Sequence, residues 1–123
     1  MDREPFGADL VGRVPELNVQ PDGWACAGAV AQCAEGRAMA VAMPNFRIAI
    51  FHRPEGWFAV KDACPHAAYP LSKSPVVNDV VTCANHNWRF RLSTGECLRG
   101  DPDISIRTFD VTIRNEQIWI KVA

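Results

Sequence analysis

Two short clusters of metal-capable side chains, Cys64-Pro65-His66 and Cys83-Ala84-Asn85-His86, are separated by sixteen residues in a chain of 123. Nothing else in the sequence restricts the fold as strongly, because four donors spread over two segments are useful only if the segments meet. Each segment supplies one thiolate and one imidazole. A mononuclear zinc site more often takes its cysteines as one pair and its histidines as another, in the order Cys, Cys, His, His. The order Cys, His, Cys, His suits two metal ions better than one. With the segments face to face, both cysteines grip one ion and both histidines the other, and each segment clamps both ends of a binuclear centre.

The rest of the chain reads as the strands that would hold two such loops. RIAIFH, GWFAVK, VVNDVVTC, WRFRL, IRTFDVTI and QIWIKV are short runs rich in β-branched and aromatic residues, separated by turn formers. Phe109, Val111 and Ile113 alternate with polar neighbours, as do Ile118, Ile120 and Val122 beyond Asn115-Glu116, which predicts a closing hairpin with one buried face. Ser93-Thr94-Gly95 predicts another turn, with Gly95 free to take a positive φ. No long helix, repeat or low-complexity tract is evident. The expected class is all-β, an antiparallel sandwich or small barrel of one domain. Residues 1–23, with Pro5, Pro15 and Pro21 among scattered charges, read as an extended arm, although Phe6, Leu10, Val14 and Leu17 could give it an apolar face. Residues 24–123 read as the domain proper.

Charge and cysteine usage narrow the function classes. A formal net charge of -1 offers no general case for a nucleic-acid or anionic-membrane partner. The longest apolar run, 38–43, is too short to span a bilayer, and residues 1–10 show no basic region followed by an apolar stretch, so a cytoplasmic protein is expected. Five cysteines in no paired scaffold argue against extensive disulfide bonding and leave thiols for a metal.

Cys-X-His, then Cys-X-X-His after a gap of this size, then Trp88-Arg89-Phe90 and the Thr94-Gly95 turn together resemble the Rieske family of 2Fe-2S proteins, over about residues 24–122. The resemblance implies stacked antiparallel sheets with a small cluster-binding subdomain of two loops. It also implies one 2Fe-2S cluster, with Cys64 and Cys83 on one iron and His66 and His86 on the other. Neutral imidazoles in place of two thiolates make an added electron less unfavourable on that iron, and Rieske centres span about -150 to +300 mV. No coordination position stays open, so the implied protein carries electrons and has no catalytic residues of its own.

Two subclasses of the family differ around the cluster. The high-potential type braces its loops with a disulfide, and hydroxyl groups hydrogen-bond to its sulfurs. Here Tyr69 and Asn85 stand at the cysteine positions of that brace, and Trp88 and Phe90 at the hydroxyl positions. Without those hydrogen bonds the potential is expected near the lower end of the range. Asn87 and Ala68 occupy positions where the family commonly has glycine. Asparagine tolerates a left-handed conformation, whereas Ala68 is harder to accommodate there. Pro65 lies between the first two ligands.

The resemblance implies partners: a flavin-dependent reductase as donor and a terminal oxygenase as acceptor, docking through a small interface of less than about 1,200 Å² on His66, Ala67, Ala68, Tyr69, Pro70, His86 and Asn87. The alternative is a fixed subunit of a larger oxidoreductase, such as an NADH-dependent nitrite reductase, whose small subunit the closing region PDISIRTFDVTIRNEQIWIKV also resembles. A zinc-binding or structural module is the third reading. His52 reads as a solvated strand-end residue, Cys26, Cys33 and Cys97 as small buried hydrophobes, and Arg89, Arg91, Arg99 and Arg107 as a solvated sheet face able to steer an acidic partner.

Overall fold

The computed structural model describes residues 14–123. Ten strands follow in chain order: β1 (Trp24–Ala29), β2 (Ala38–Ala42), β3 (Arg47–Arg53), β4 (Gly56–Lys61), β5 (Val76–Val77), β6 (Val80–Thr82), β7 (Arg89–Arg91), β8 (Cys97–Arg99), β9 (Thr108–Arg114) and β10 (Gln117–Lys121). They form a six-stranded sheet in the order β1-β10-β9-β4-β3-β2 and a four-stranded sheet in the order β5-β6-β7-β8, with every pairing antiparallel. The helical content among the described residues is two single 3-10 turns, Val30–Gln32 and Leu71–Lys73. The all-β expectation therefore holds.

The position of the small sheet follows from strand β3. Its residues Ile48, Ala49, Ile50 and Phe51 are all buried, as a strand with both faces covered must be. Ile48 and Ile50 point into one core with Val41, Ala59, Ile118 and Ile120. Ala49 and Phe51 point into the other with Val60, Leu71, Val81, Phe90, Leu92 and Ile106. The large sheet is thus packed on both sides at β3 and β4, and the four-stranded sheet, carrying the two ligand segments, lies on the second side.

The closing hairpin turns at Asn115 (φ 50) and Glu116 (φ 65), both left-handed, the geometry that matches the right-handed twist of the flanking strands. Burial along β9 fades from Phe109 through half-buried Val111 to Ile113, 40% exposed, because that end of the hairpin runs past the core. The Ser93-Thr94-Gly95 turn joins β7 to β8, with Gly95 at φ 80 and no room for a Cβ, which would stand 2.2 Å from the Ile106 carbonyl oxygen.

One strand expectation is corrected. VVNDVVTC is not a single strand: it folds back at Asn78-Asp79 into β5 and β6, pairing Val76 with Val81 and Val77 with Val80. Asn78 takes φ 55, a conformation asparagine accepts more easily than most side chains. Of the N-terminal segment, Pro15 and Leu17 hydrogen-bond to Ala42 on the edge of β2, at 2.7 and 2.9 Å, and Leu17 packs into the first core. Phe6 and Leu10 lie outside the described residues.

Candidate metal centre

Both ligand segments fold into the same turn. In the first, the Cys64 N–H donates to the Tyr69 carbonyl at 2.9 Å and the Ala68 N–H donates back to the Cys64 carbonyl at 2.6 Å. In the second, the Cys83 N–H donates to the Trp88 carbonyl at 2.7 Å and the Asn87 N–H to the Cys83 carbonyl at 2.9 Å. The closing residue is left-handed in each, Ala68 at φ 57 and Asn87 at φ 64. The chain therefore makes this turn twice without glycine, and the geometry foreseen for Asn87 extends to Ala68.

The two turns face each other. Cys64 and Cys83 are fully buried, and their thiols are in hydrogen-bonding contact. Burial pushes the Cys64 thiol above its ordinary range; hydrogen bonding from the His66 amide opposes this, and the Cys83 thiol alongside raises it further. His66 and His86 are exposed at the tip, ring centroids 4.6 Å apart and nearly perpendicular. Two thiols sealed from water side by side are matched to a cationic centre that supplies counter-charge where solvent cannot. Among the described residues no three Cys, His, Asp or Glu side chains converge as a single ion would require. A buried pair of thiols and an exposed pair of imidazoles divide the donors two and two, which is the division a binuclear cluster takes.

The neighbouring side chains cross-link the turns. The Trp88 indole, from the second turn, stacks on the His66 ring of the first at 4.8 Å and 23°. Phe90 lies behind it at 6.4 Å and is fully buried. Sequence reasoning missed three supports. Buried Ser74 accepts from the Ala84 N–H at 3.2 Å and donates to the Pro70 carbonyl at 3.1 Å, so one hydroxyl ties the exit of the first turn to the second. Gly100 lies under the Trp88 ring, where a Cβ would be 2.4 Å from Cδ2. Buried Asp62 accepts from the Ser72 N–H and hydroxyl, both at 2.7 Å, closing the base of the first loop. Lone serines and glycines carry no signal of this kind in sequence, because Ser74–Ala84, Gly100–Trp88 and Asp62–Ser72 join residues ten or twelve positions apart.

Of the other singled-out residues, Tyr69 is half-buried against the second core, Pro70 is half-buried, and Pro65, Ala67, Ala68, Asn85 and Asn87 are exposed around the histidines. His52 is corrected: it is not a solvated strand-end residue but half-buried, with Nδ1 2.9 Å from the Cys33 carbonyl oxygen and its ring stacked on Trp57 at 3.8 Å. It is not part of the paired turns. Cys33 and Cys97 are buried, and Cys26 is half-buried at the β1–β10 edge.

The Rieske [2Fe-2S] domain family matches residues 23–110. The chain belongs to the Rieske family. Its cofactor is accordingly a 2Fe-2S cluster. Among its relatives, the biphenyl dioxygenase ferredoxin subunit of Pseudomonas sp. (strain KKS102) is 27% identical over 86 residues, covering 69% of this Rieske chain and 79% of the relative. The oxygenase component of a 3-ketosteroid-9-alpha-monooxygenase from Mycolicibacterium smegmatis (strain ATCC 700084 / mc(2)155) is 34% identical over 76 residues, 61% of this chain. The chain spans only 20% of that oxygenase component's length. A chain in the solved complex of reduced oxygenase and oxidised ferredoxin of carbazole 1,9a-dioxygenase superposes with a TM-score of 0.75 at 20% identity, covering 81% of this chain and 94% of that one. That superposition is a match of fold, and it reproduces the stacked-sheet architecture.

Proposed function

We propose that the protein is a single-electron carrier, with Cys64 and Cys83 holding one iron of the cluster and His66 and His86 the other. The observation that carries this reading is the pair of matching turns that bury two thiols together and expose two imidazoles together. When bound, the cluster supplies a one-electron couple. The chain supplies everything that surrounds it. Buried thiols and the hydrogen-bonded turns keep water from the sulfur side, Trp88 holds His66 in orientation, and the exposed imidazoles form the short path between the centre and a docked partner. Cys64, Cys83, His66 and His86 would take up the protein-facing positions of both irons and leave none for a substrate, so in this reading the protein passes electrons and does not itself transform a substrate.

The donor in this reading is a flavin-dependent reductase and the acceptor a terminal oxygenase, docked at His66, Ala67, Ala68, Tyr69, Pro70, His86 and Asn87. The ferredoxin subunit of a biphenyl dioxygenase among the relatives supports it. Residues 24–123 act as the cluster domain and 1–23 as an arm. No helix among the described residues is long and apolar enough to cross a membrane. Cys26, Cys33 and Cys97, outside the paired turns, are not joined in disulfides, and this reading sets the protein in a reducing, cytoplasmic compartment.

Electron paramagnetic resonance of the dithionite-reduced chain, combined with a potentiometric titration, tests the proposal. A Rieske signal titrating near the lower end of about -150 to +300 mV is expected, because Trp88 and Phe90 offer no hydroxyl to the sulfurs. A midpoint near the upper end, or a colourless preparation with stoichiometric zinc, would overturn it. Gel filtration from the native host separates a shuttle, which runs alone, from a fixed subunit of a larger oxidoreductase, which co-elutes with its complex.

A further inference from the structure

The outer face of the small sheet carries three arginines, and the structure treats them differently. Arg91 is neutralised by Asp79 at 3.9 Å and Glu96 at 3.5 Å. Arg89 and Arg99 are exposed and stand directly across from each other on β7 and β8. Among the described residues neither has a carboxylate within ion-pair distance. Like charges opposed across a strand pair destabilise the sheet, so this placement costs stability that no carboxylate among the described residues offsets.

The same place has a second irregularity. Phe90 pairs with Cys97 while Arg89 pairs with Arg99, so Leu98 is the extra residue of a bulge. The bulge exposes Leu98 at 41%, and Val77 on edge strand β5 is 70% exposed. Val77, Val80, Thr82, Arg89, Leu98 and Arg99 line one groove of about 610 Å³. This groove adjoins the electron path. Arg89 follows Trp88, whose indole stacks on His66, and Arg99 precedes Gly100, on which the same indole rests.

We infer that the Arg89–Arg99 face is a docking surface for an acidic patch on the protein that exchanges electrons with the cluster, with Val77 and Leu98 as its apolar contacts. Two opposed cations beside an exposed apolar pair are complementary to carboxylates flanking an apolar patch. A carboxylate inserted between the arginines removes their repulsion, so the stability withheld from the free protein returns on docking. Such charges mainly raise the rate of encounter, which suits a partner that must also leave quickly. With a net charge of -1 the chain as a whole does not attract an acidic partner, so the attraction has to come from a local cluster such as this one.

The inference rests on the electron-carrier reading and is tested separately from it. The full chain with its cluster is reduced by dithionite and mixed with hexacyanoferrate(III), an anion that takes one electron from the cluster and becomes hexacyanoferrate(II). In parallel it is mixed with tris(1,10-phenanthroline)cobalt(III), a cation that takes one electron and becomes the cobalt(II) complex. The double variant Arg89→Gln/Arg99→Gln should lose about tenfold in rate with the anion at low salt, keep or gain rate with the cation, and match the parent at high salt. Arg91→Gln, whose charge is already neutralised, should change either rate by less than about twofold. Poly-L-glutamate should slow the anion reaction of the parent and leave that of the double variant unchanged.

A loaded double variant whose rates with both oxidants equal the parent's at low salt would overturn the docking face and leave the carrier reading intact. Stronger inhibition by a single-stranded DNA oligonucleotide than by polyglutamate at equal charge would replace the acidic protein with a nucleic acid and also overturn it. A parent chain that takes up no cluster removes both readings before either oxidant is added. Arg99→Gln alone, outside both turns, carries the same comparison with about half the effect on the logarithm of the rate if the double variant fails to load.

Discussion

In the first ligand turn the histidine follows its cysteine by two residues, and in the second by three, yet both turns close with the same hydrogen bonds and the same left-handed residue. Superposed by their cysteines, His66 therefore corresponds to Asn85, Ala67 to His86 and Tyr69 to Trp88. The backbone frame places the two thiols symmetrically, while the imidazoles are offset and meet edge to face. The support is exchanged between the turns as well. Trp88 of the second holds His66 of the first, and Ser74, beyond the first, holds the Ala84 amide of the second. Each half of the centre is braced by the other half, without a disulfide.

The largest expected effect removes the symmetric part. Cys64→Ser and Cys83→Ser should each abolish cluster uptake, read as complete loss of visible absorbance and of the reduced paramagnetic signal. A hard hydroxyl cannot replace a buried thiolate toward iron. If either variant stayed coloured, the thiols would not share one iron and the two-and-two division would be broken.

Substitution at Gly100 comes next and tests the offset part. A Cβ there would lie 2.4 Å from Trp88 Cδ2, and φ 132 is strained for any side chain, so Gly100→Ala should cost about 2–3 kcal/mol in stability and displace the indole from His66. Thermal melting measures the first effect. A changed reduced paramagnetic spectrum measures the second. Ser74→Ala should cost about 1–2 kcal/mol, because it leaves the Ala84 amide without its partner and the Pro70 carbonyl with only the Lys73 N–H at 3.3 Å. It should also hasten loss of the cluster, since Ser74 is the hydroxyl that joins the turns.

The symmetric features were the ones legible in the sequence. Cysteine and histidine spacing, the Asn115-Glu116 turn and the alternation in β9 and β10 are local patterns, and local patterns survive into the fold. β1 and β2, written WACAGA and AMAVA, are poor in β-branched residues and carry weak strand signals, so only their pairing with β10 and β3 shows what they are. VVNDVVTC held its own turn in Asn78-Asp79, but continuous apolar character hid it. The cross-braces were invisible for a different reason. Ser74 to Ala84, Gly100 to Trp88 and Arg89 to Arg99 are contacts between residues ten or twelve positions apart, created when two loops and a bulge arrive in the same place. Sequence reasoning could list the arginines but not separate the neutralised Arg91 from the opposed pair.

The smallest expected effect separates the two turns at the residue where they look most alike. Ala68 and Asn87 hold φ 57 and φ 64, but they do not hold it equally well. A left-handed alanine sets its Cβ against the following carbonyl at a cost of about 1–2 kcal/mol, whereas asparagine enters this region routinely. Glycine relieves that strain but adds unfolded-state entropy worth about 0.4–1 kcal/mol, which subtracts from the gain. Ala68→Gly should therefore raise stability by about 0.5–1 kcal/mol, or roughly 3 °C in the melting of the cluster-loaded chain, while Asn87→Gly should change it by less than about 0.3 kcal/mol. A larger gain at Asn87 than at Ala68 would mean that the shared hydrogen-bond frame does not set the strain. Equal gains would mean that the asparagine side chain contributes nothing to its turn. The expected inequality leaves the first turn as the strained half of the centre, beside His66, the histidine that the second turn's Trp88 holds in place.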